Sequence, residues 1–260
     1  MVARLTLSQF SRFVGSGRNS PAICGCERQD GTPAGEFVVK FRGSETGTNG
    51  LMCELVASLL AGNLGINTPE PAVVELGADL ADSIAALERS KASIMRKSAG
   101  LNFGSRLLSG GSVWPTDKPL VDAMRQQAAE VFAFDALIQN VDRRFDRPNL
   151  FVRGDEIIAF DHEAAFSFLY SLSGGTKPWL LASEKYLEEH VFYRPLRRSP
   201  VPLARFIAVL KSLDDGALAQ IEEAMPGEWR SDNLPIIMQH LKDVRENADA
   251  FGEEIKRKLM

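Results

Sequence analysis

Residues 134–168 read FDALIQNVDRRFDRPNLFVRGDEIIAFDHEAAFSF, and the reading of this stretch decides the fold. It continues an apolar helix, AAEVFAFDALIQN (128–140), and then breaks into a charged loop, VDRRFDRPN (141–149). The short apolar run LFV (150–152), a turn at Arg153-Gly154-Asp155 and a second run, EIIAF (156–160), predict a β-hairpin. Helix, loop and hairpin together place Asp142 at the loop start, Asn149 where the first strand begins and Asp161 where the second ends.

Two acids and an amide so placed are the residue types that phosphoryl transfer needs. Magnesium prefers oxygen ligands and is commonly held by one or two carboxylates together with nucleotide phosphates. A second acid faces the incoming hydroxyl, and an Asn completes the metal shell. In protein kinases the loop acid and the Asn are five residues apart and precede the metal-binding Asp. Here the residue five after Asp142 is Arg147, and Asn149 lies seven after it. Because Asn149 directly precedes Leu150-Phe151-Val152, it aligns with that Asn if the loop carries a two-residue insertion. Asp142, Asn149 and Asp161 are the expected catalytic residues, with Asn149 and Asp161 also the expected metal ligands. Asp135 reads as a brace for the loop or as an ordinary acid, and Asn140 as a support for its backbone. Arg143 and Arg144 read as ion-pair partners of Asp135 and Asp146 or as neutralisers of phosphate charge. His162 is expected to act as a hydrogen-bonding support.

Upstream, Gly15–Ser20 is a small, flexible stretch before a strand, Pro21–Glu27. Glycines and serines there, including Ser16, Gly17 and Ser20, form either a plain loop or one whose N–H groups approach phosphates. A turn at residues 29–33 leads to GEFVVKFRG (35–43), with Lys40 between Val39 and Phe41. In an apolar strand that ammonium either snorkels outward or pairs inward and meets nucleotide phosphates, as the Val-Val-Lys context suggests. The helix predicted at Leu51–Leu64 supplies Glu54, either Lys40's partner or an acid favoured near a helix N-terminus. The motif Leu64-Gly65-Ile66-Asn67-Thr68-Pro69 then turns the chain into PAVVEL (71–76). A strand expected at Ala92–Arg96 leads to a hinge, where backbone groups around Met95, Lys97 and Ser98 would bond adenine; Met95 also reads as core. Residues 99–118 are rich in Gly, Ser and Pro and read as a linker or substrate-side loop.

The run NVDRRFDRPNL followed by IIAFDHEAAF resembles the short HipA-like kinases, relatives of the HipA toxin kinases and more distantly of phosphatidylinositol kinases. The helix ending in Leu-Gly-x-Asn-x-Pro is similar to theirs as well, and the resemblance runs from about Gly15 to at least Phe168. It accommodates Asp161-His162-Glu163 in place of Asp-Phe-Gly. It implies an ATP- and Mg2+-dependent Ser/Thr protein kinase, with autophosphorylation, and a phosphate loop at Ser16, Gly17 and Ser20. Ser16 and Ser20 are its positions for a silencing modification. The fold it implies is α+β and two-lobed, protein-kinase-like: an N-lobe (1–98) with a small antiparallel sheet, and a mainly helical C-lobe (99–260).

Composition is compatible with this. The 260 residues are 45% hydrophobic, enough for a full core, and the formal charge of −4 offers no broad basic field for nucleic acid. No apolar run nears the roughly 18 residues of a membrane span, and the N-terminus lacks a signal-peptide pattern. Cys24, Cys26 and Cys53 read as free thiols of a cytoplasmic protein. The C-terminal third reads as three amphipathic helices. The partner expected is a protein substrate or a regulatory protein. Two other functions fit the residues: a lipid or small-molecule kinase, and a nucleotide-binding pseudokinase acting through a partner.

Overall fold

The computed structural model describes residues 2–15, 19–115, 118–170 and 177–260. It divides into two units that interleave along the chain: Met1–Leu55, Pro69–Leu108 and Ala224–Arg230 form unit 1, and Val56–Thr68, Ser109–Glu223 and Ser231–Met260 form unit 2.

Unit 1 is built on strands β1 (Ala3–Phe13), β2 (Ala22–Glu27) and β3 (Pro33–Lys40), then helix α1 (Gly47–Asn63), whose second half belongs to unit 2. Strand β4 (Pro71–Leu76), helices α2 (Ala78–Leu87) and α3 (Ala92–Arg96) and strand β5 (Gly100–Arg106) follow. The strands close into a barrel in the order β1-β2-β3-β5-β4. The expected all-antiparallel sheet is therefore corrected, since β1 runs parallel to β4, with Ala3 opposite Ala72 and Thr6 opposite Glu75. Register shifts between Leu7 and Gln9 and between Phe10 and Arg12 break the β1–β2 pairing. Such irregularities bend a strand and increase its twist, which helps a sheet to close. Leu5, Leu7, Phe37, Val39 and Val74 fill the interior. Cys24 and Cys26 join them, their thiols pushed up to about 12 by burial, which leaves them chemically inert.

The strand expected at Ala92–Arg96 is instead the short helix α3, which sends only Met95 fully into the core. The barrel's fifth strand is β5, inside the stretch expected to be a linker. Its glycines mislead because they read as turn formers. A Cβ on Gly104 would lie 2.6 Å from Val74 Cγ2, so the tight β4–β5 packing requires a residue without a side chain there.

Unit 2 contains strand β6 (Ser112–Val113), helix α4 (Arg125–Leu137) and the hairpin β7 (Leu150–Arg153)–β8 (Glu156–Ala159), joined in a sheet of order β6-β7-β8. Helices α5 (Tyr193–Leu196), α6 (Ala204–Ser212), α7 (Asp215–Ala224), α8 (Asn233–Glu246) and α9 (Ala248–Leu259) complete the elements used below. The last of the three helices expected here is two, α8 and α9. The break falls at Asn247, whose side chain donates to the Asp243 carbonyl, an alternative that Asn readily offers the backbone. Every residue of α4 from Ala128 to Leu137 is buried. A helix apolar on all sides belongs in a core, so its two acids, Glu130 and Asp135, need cationic partners. Glu130 receives Arg205 Nε at 2.7 Å. At its end, α4 gives its Leu137 carbonyl to His240 Nε2 at 2.7 Å. Among the described residues, no helix is long and apolar enough to cross a membrane.

Candidate active site

In unit 1, Lys40 closes β3 and points inward, where its Nζ lies 2.7 Å from Glu54 Oε2 on α1. Both side chains are nearly buried, 11% and 3% exposed. A buried pair of this kind is retained only if both charges stay satisfied, since removing one strands the other. Ser20 is fully buried with a left-handed backbone, φ 42°. A silencing modification at its hydroxyl, as expected from the resemblance, therefore has no access in this state. Ser16 and Gly17 lie outside the described residues. The residues expected at the adenine hinge end or follow a helix rather than a strand. Met95 and Lys97 sit at the end of α3, and the Met95 carbonyl already accepts the backbone N–H groups of Lys97 and Ser98.

In unit 2 the charged loop is organised by one fully buried aspartate. Asp135 Oδ1 accepts from Asn140 Nδ2 at 2.9 Å, while Oδ2 accepts from Arg143 Nε at 2.5 Å and from His190 Nε2 at 3.0 Å. Burial would raise the Asp135 pKa, but the Arg143 guanidinium and His190 outweigh it and bring it down to about 2. His190 is itself lowered by burial, against the pull of Asp135. Its tautomer follows from its neighbours: Phe192 N–H donates to Nδ1 at 3.0 Å, so the proton of the neutral ring is on Nε2.

Arg143 carries this order to the hairpin. Its Nη1 donates to the carbonyls of Asn149 at 2.5 Å and Phe160 at 3.1 Å, and its Nη2 to His162 Nδ1 at 3.1 Å. Because Arg only donates, the His162 proton is on Nε2, which reaches Thr68 Oγ1 at 3.3 Å. Asn67, the neighbour of Thr68, accepts the Ala159 N–H at 2.8 Å. The Leu-Gly-x-Asn-x-Pro motif and the Asp161-His162-Glu163 segment therefore meet in space. Strand pairing continues one step past β7 and β8, with Phe160 N–H donating to the Asn149 carbonyl at 3.1 Å. Asn149 and Asp161 thus occupy the two chain ends at the hairpin mouth, both left-handed, with φ 46° and 60°. Asn and Asp tolerate that conformation better than other residues with a Cβ.

Asp142 stands on the rim. Its N–H donates to Asn140 Oδ1 at 3.1 Å, as expected of a loop-fixing Asn. Arg147 Nη1 lies 3.1 and 3.2 Å from its two carboxylate oxygens. Of this pair, Arg147 is 61% and Asp142 26% exposed. The Asp142 carboxylate and the field of Asp161 both help hold the Arg147 guanidinium charged. Asn149 and Asp161 fit a magnesium ion chemically, since both offer hard oxygen donors. The Asn149 amide nitrogen is buried and has no hydrogen-bond partner among the described residues, which leaves one end of that amide for a ligand or water to satisfy.

Sequence reasoning brought Asp142, Asn149, Asp161, Lys40 and Glu54 to attention, and the fold gathers the first three in unit 2 and the last two in unit 1. It missed His190, which lies far along the chain from its partners without a local pattern, and the pairing of Thr68, inside the Leu-Gly-x-Asn-x-Pro motif, with the distant His162.

One solved structure shares this fold. The Helicobacter pylori proinflammatory kinase CtkA aligns with a TM-score of 0.57 and 11% identity, covering 98% of this chain and 99% of that one. The Leishmania major MAP kinase LmaMPK10 aligns at 0.30 and 11% identity over 95% and 81%, a score that by itself shows no common fold. No curated protein matches. This fold together with a family model of kinases supports the class, a kinase-type phosphotransferase. The family model for HipA-like kinases matches residues 8–253, and the chain belongs to that family.

Proposed function

We propose that this protein transfers the γ-phosphoryl group of ATP, with Mg2+, to serine or threonine hydroxyls of proteins, its own chain included. The observation that carries the reading is the Arg143 network. It ties the loop bearing Asp142 to the hairpin mouth bearing Asn149 and Asp161 through buried hydrogen bonds. Phosphoryl transfer depends mainly on such positioning and on charge stabilisation. Asn149 and Asp161 would hold the magnesium, which when bound offsets phosphate charge. Lys40, braced by Glu54, would take the nucleotide phosphates. Asp142 would orient the acceptor hydroxyl and receive its proton.

The test is intact-mass analysis after incubation with ATP and magnesium, beside Asp142→Asn. Wild type should gain one phosphate or more, and Asp142→Asn should gain none while keeping its ATP affinity. Equal gains would remove Asp142 from the chemistry. One observation favours a second reading, a regulatory protein that binds nucleotide without transfer: Arg147 Nη1 lies within hydrogen-bond distance of both Asp142 oxygens. Magnesium-dependent ATP binding with no mass gain on any protein offered would select it.

A further inference from the structure

The catalytic-loop turn also forms the wall of a cavity of about 400 Å3, contained within unit 2. Trp114, Phe145 and Phe192 give it an aromatic lining. Trp114 and Phe192 pack edge to face at 5.3 Å, while Phe145 is 56% exposed. Arg144, Lys118 and Arg194 bring positive charge to the same space.

Three acids line the cavity too, but each already faces a cation. Arg144 Nη2 lies 3.1 Å from Asp146, and Nη1 lies 3.9 Å from Glu189. Glu188 receives Lys258 Nζ at 2.8 Å. What is left over is positive. Lys118, 5.9 Å above the Trp114 ring, and Arg194 have no carboxylate within ion-pair distance among the described residues. Two cations without a carboxylate partner over an aromatic floor suit an anionic side chain with an apolar neighbour.

The position adds meaning to the chemistry. Arg144 N–H donates to the Asp142 carbonyl at 2.9 Å, so the cavity wall and the acid proposed to face the acceptor hydroxyl belong to one turn. A peptide whose serine reaches Asp142 has its flanking residues within a few chain steps of the cavity, at about 3.3–3.6 Å per extended residue. Resting on the function proposed above, we propose that this cavity is a docking subsite for the acceptor protein. It takes an acidic side chain near the phosphoacceptor serine or threonine, held by Lys118 and Arg194, while the adjoining apolar residue lies on Trp114 and Phe145.

Fluorescein-labelled nonapeptides with alanine at the centre, and Glu, phosphoserine or Lys scanned through the flanking positions, test binding to the full chain by anisotropy. The serine-centred set tests transfer with ATP and magnesium. At one or two positions, Glu or phosphoserine should bind about tenfold tighter than Lys; a larger effect for phosphoserine identifies a primed substrate. The double variant Lys118→Glu/Arg194→Glu should reverse the preference. For serine peptides it should raise KM about tenfold and keep kcat within about twofold. Equal binding of Glu and Lys peptides, or a preference that survives the charge reversal, overturns the subsite. Charge-selective binding without transfer to any serine peptide keeps the subsite and overturns the kinase reading instead.

Discussion

Arg143 and Arg147 lie four residues apart in one loop, and each holds an aspartate, yet they do different work. Arg143 and its partner Asp135 have fully buried side chains. Its donors reach a carboxylate, a histidine and the carbonyls of the hairpin mouth, so it serves as the internal frame of the loop. Arg147 meets Asp142 at the surface, 61% exposed. There, solvent screening and side-chain entropy reduce an ion pair to about 0–1 kcal/mol. The same two residue types therefore make structure at one position and leave the chemistry adjustable at the other. Burial makes the difference.

The largest effect should come from the frame. Arg143→Ala strands Asp135 as a buried charge, with His190 and Asn140 its remaining partners, and should cost about 3–5 kcal/mol in urea unfolding. A loss below about 1 kcal/mol would mean that the network is not the frame described here. His190→Gln should cost less, about 1–3 kcal/mol, because one donor to Asp135 and one acceptor for the Phe192 N–H are removed or misplaced.

These buried contacts were only partly legible in the sequence. Asp142, Asn149 and Asp161 were legible because an acid, an amide and an acid punctuated a helix-to-hairpin transition. The Lys40–Glu54 pair was legible because an ammonium inside Val-Val-Lys-Phe needs an internal partner. The pairing of Arg143 with Asp135 stood as one of two readings. What decided it was the burial of α4 on every side, a tertiary fact that periodicity alone does not give. His190 was invisible, since it lies 55 residues from Asp135 in a stretch without regular pattern. Strand β5 was hidden by its own glycines, which serve close packing against β4 rather than a turn. Helix α3 was missed because a strand was expected there to lead to a hinge; ASIMR itself does not alternate, and only Met95 is fully buried.

The His190 contact also predicts a pH dependence. Burial holds its pKa below the ordinary 6.5, so the neutral ring is the form the fold accepts. Just below pH 6.5 the unfolded chain binds more protons than the folded one, and stability falls as pH falls through that value. His240, lowered by burial as well, adds to the same trend. Unfolding free energies measured from pH 8 down to 5 should decline below about 6.5, more gently in His190→Gln. A flat profile in wild type would mean that neither ring is held neutral by the fold.

The smallest change in stability should come from Arg147→Ala, within about 1 kcal/mol of wild type. Its expected consequence is catalytic. A carboxylate has about four lone-pair sites, so Asp142 can accept from Arg147 and still face an acceptor hydroxyl. The ion pair then limits the carboxylate's rotation without blocking it. Removing Arg147 should lower kcat several-fold and leave ATP affinity unchanged. Salt near 1 M, where the Debye length is about 3 Å, should imitate part of that loss in wild type and do little further in the variant. A rise in kcat would give the pair the opposite role, a brake on Asp142. A loss of stability comparable to that of Arg143→Ala would erase the distinction between the buried frame and the exposed rim.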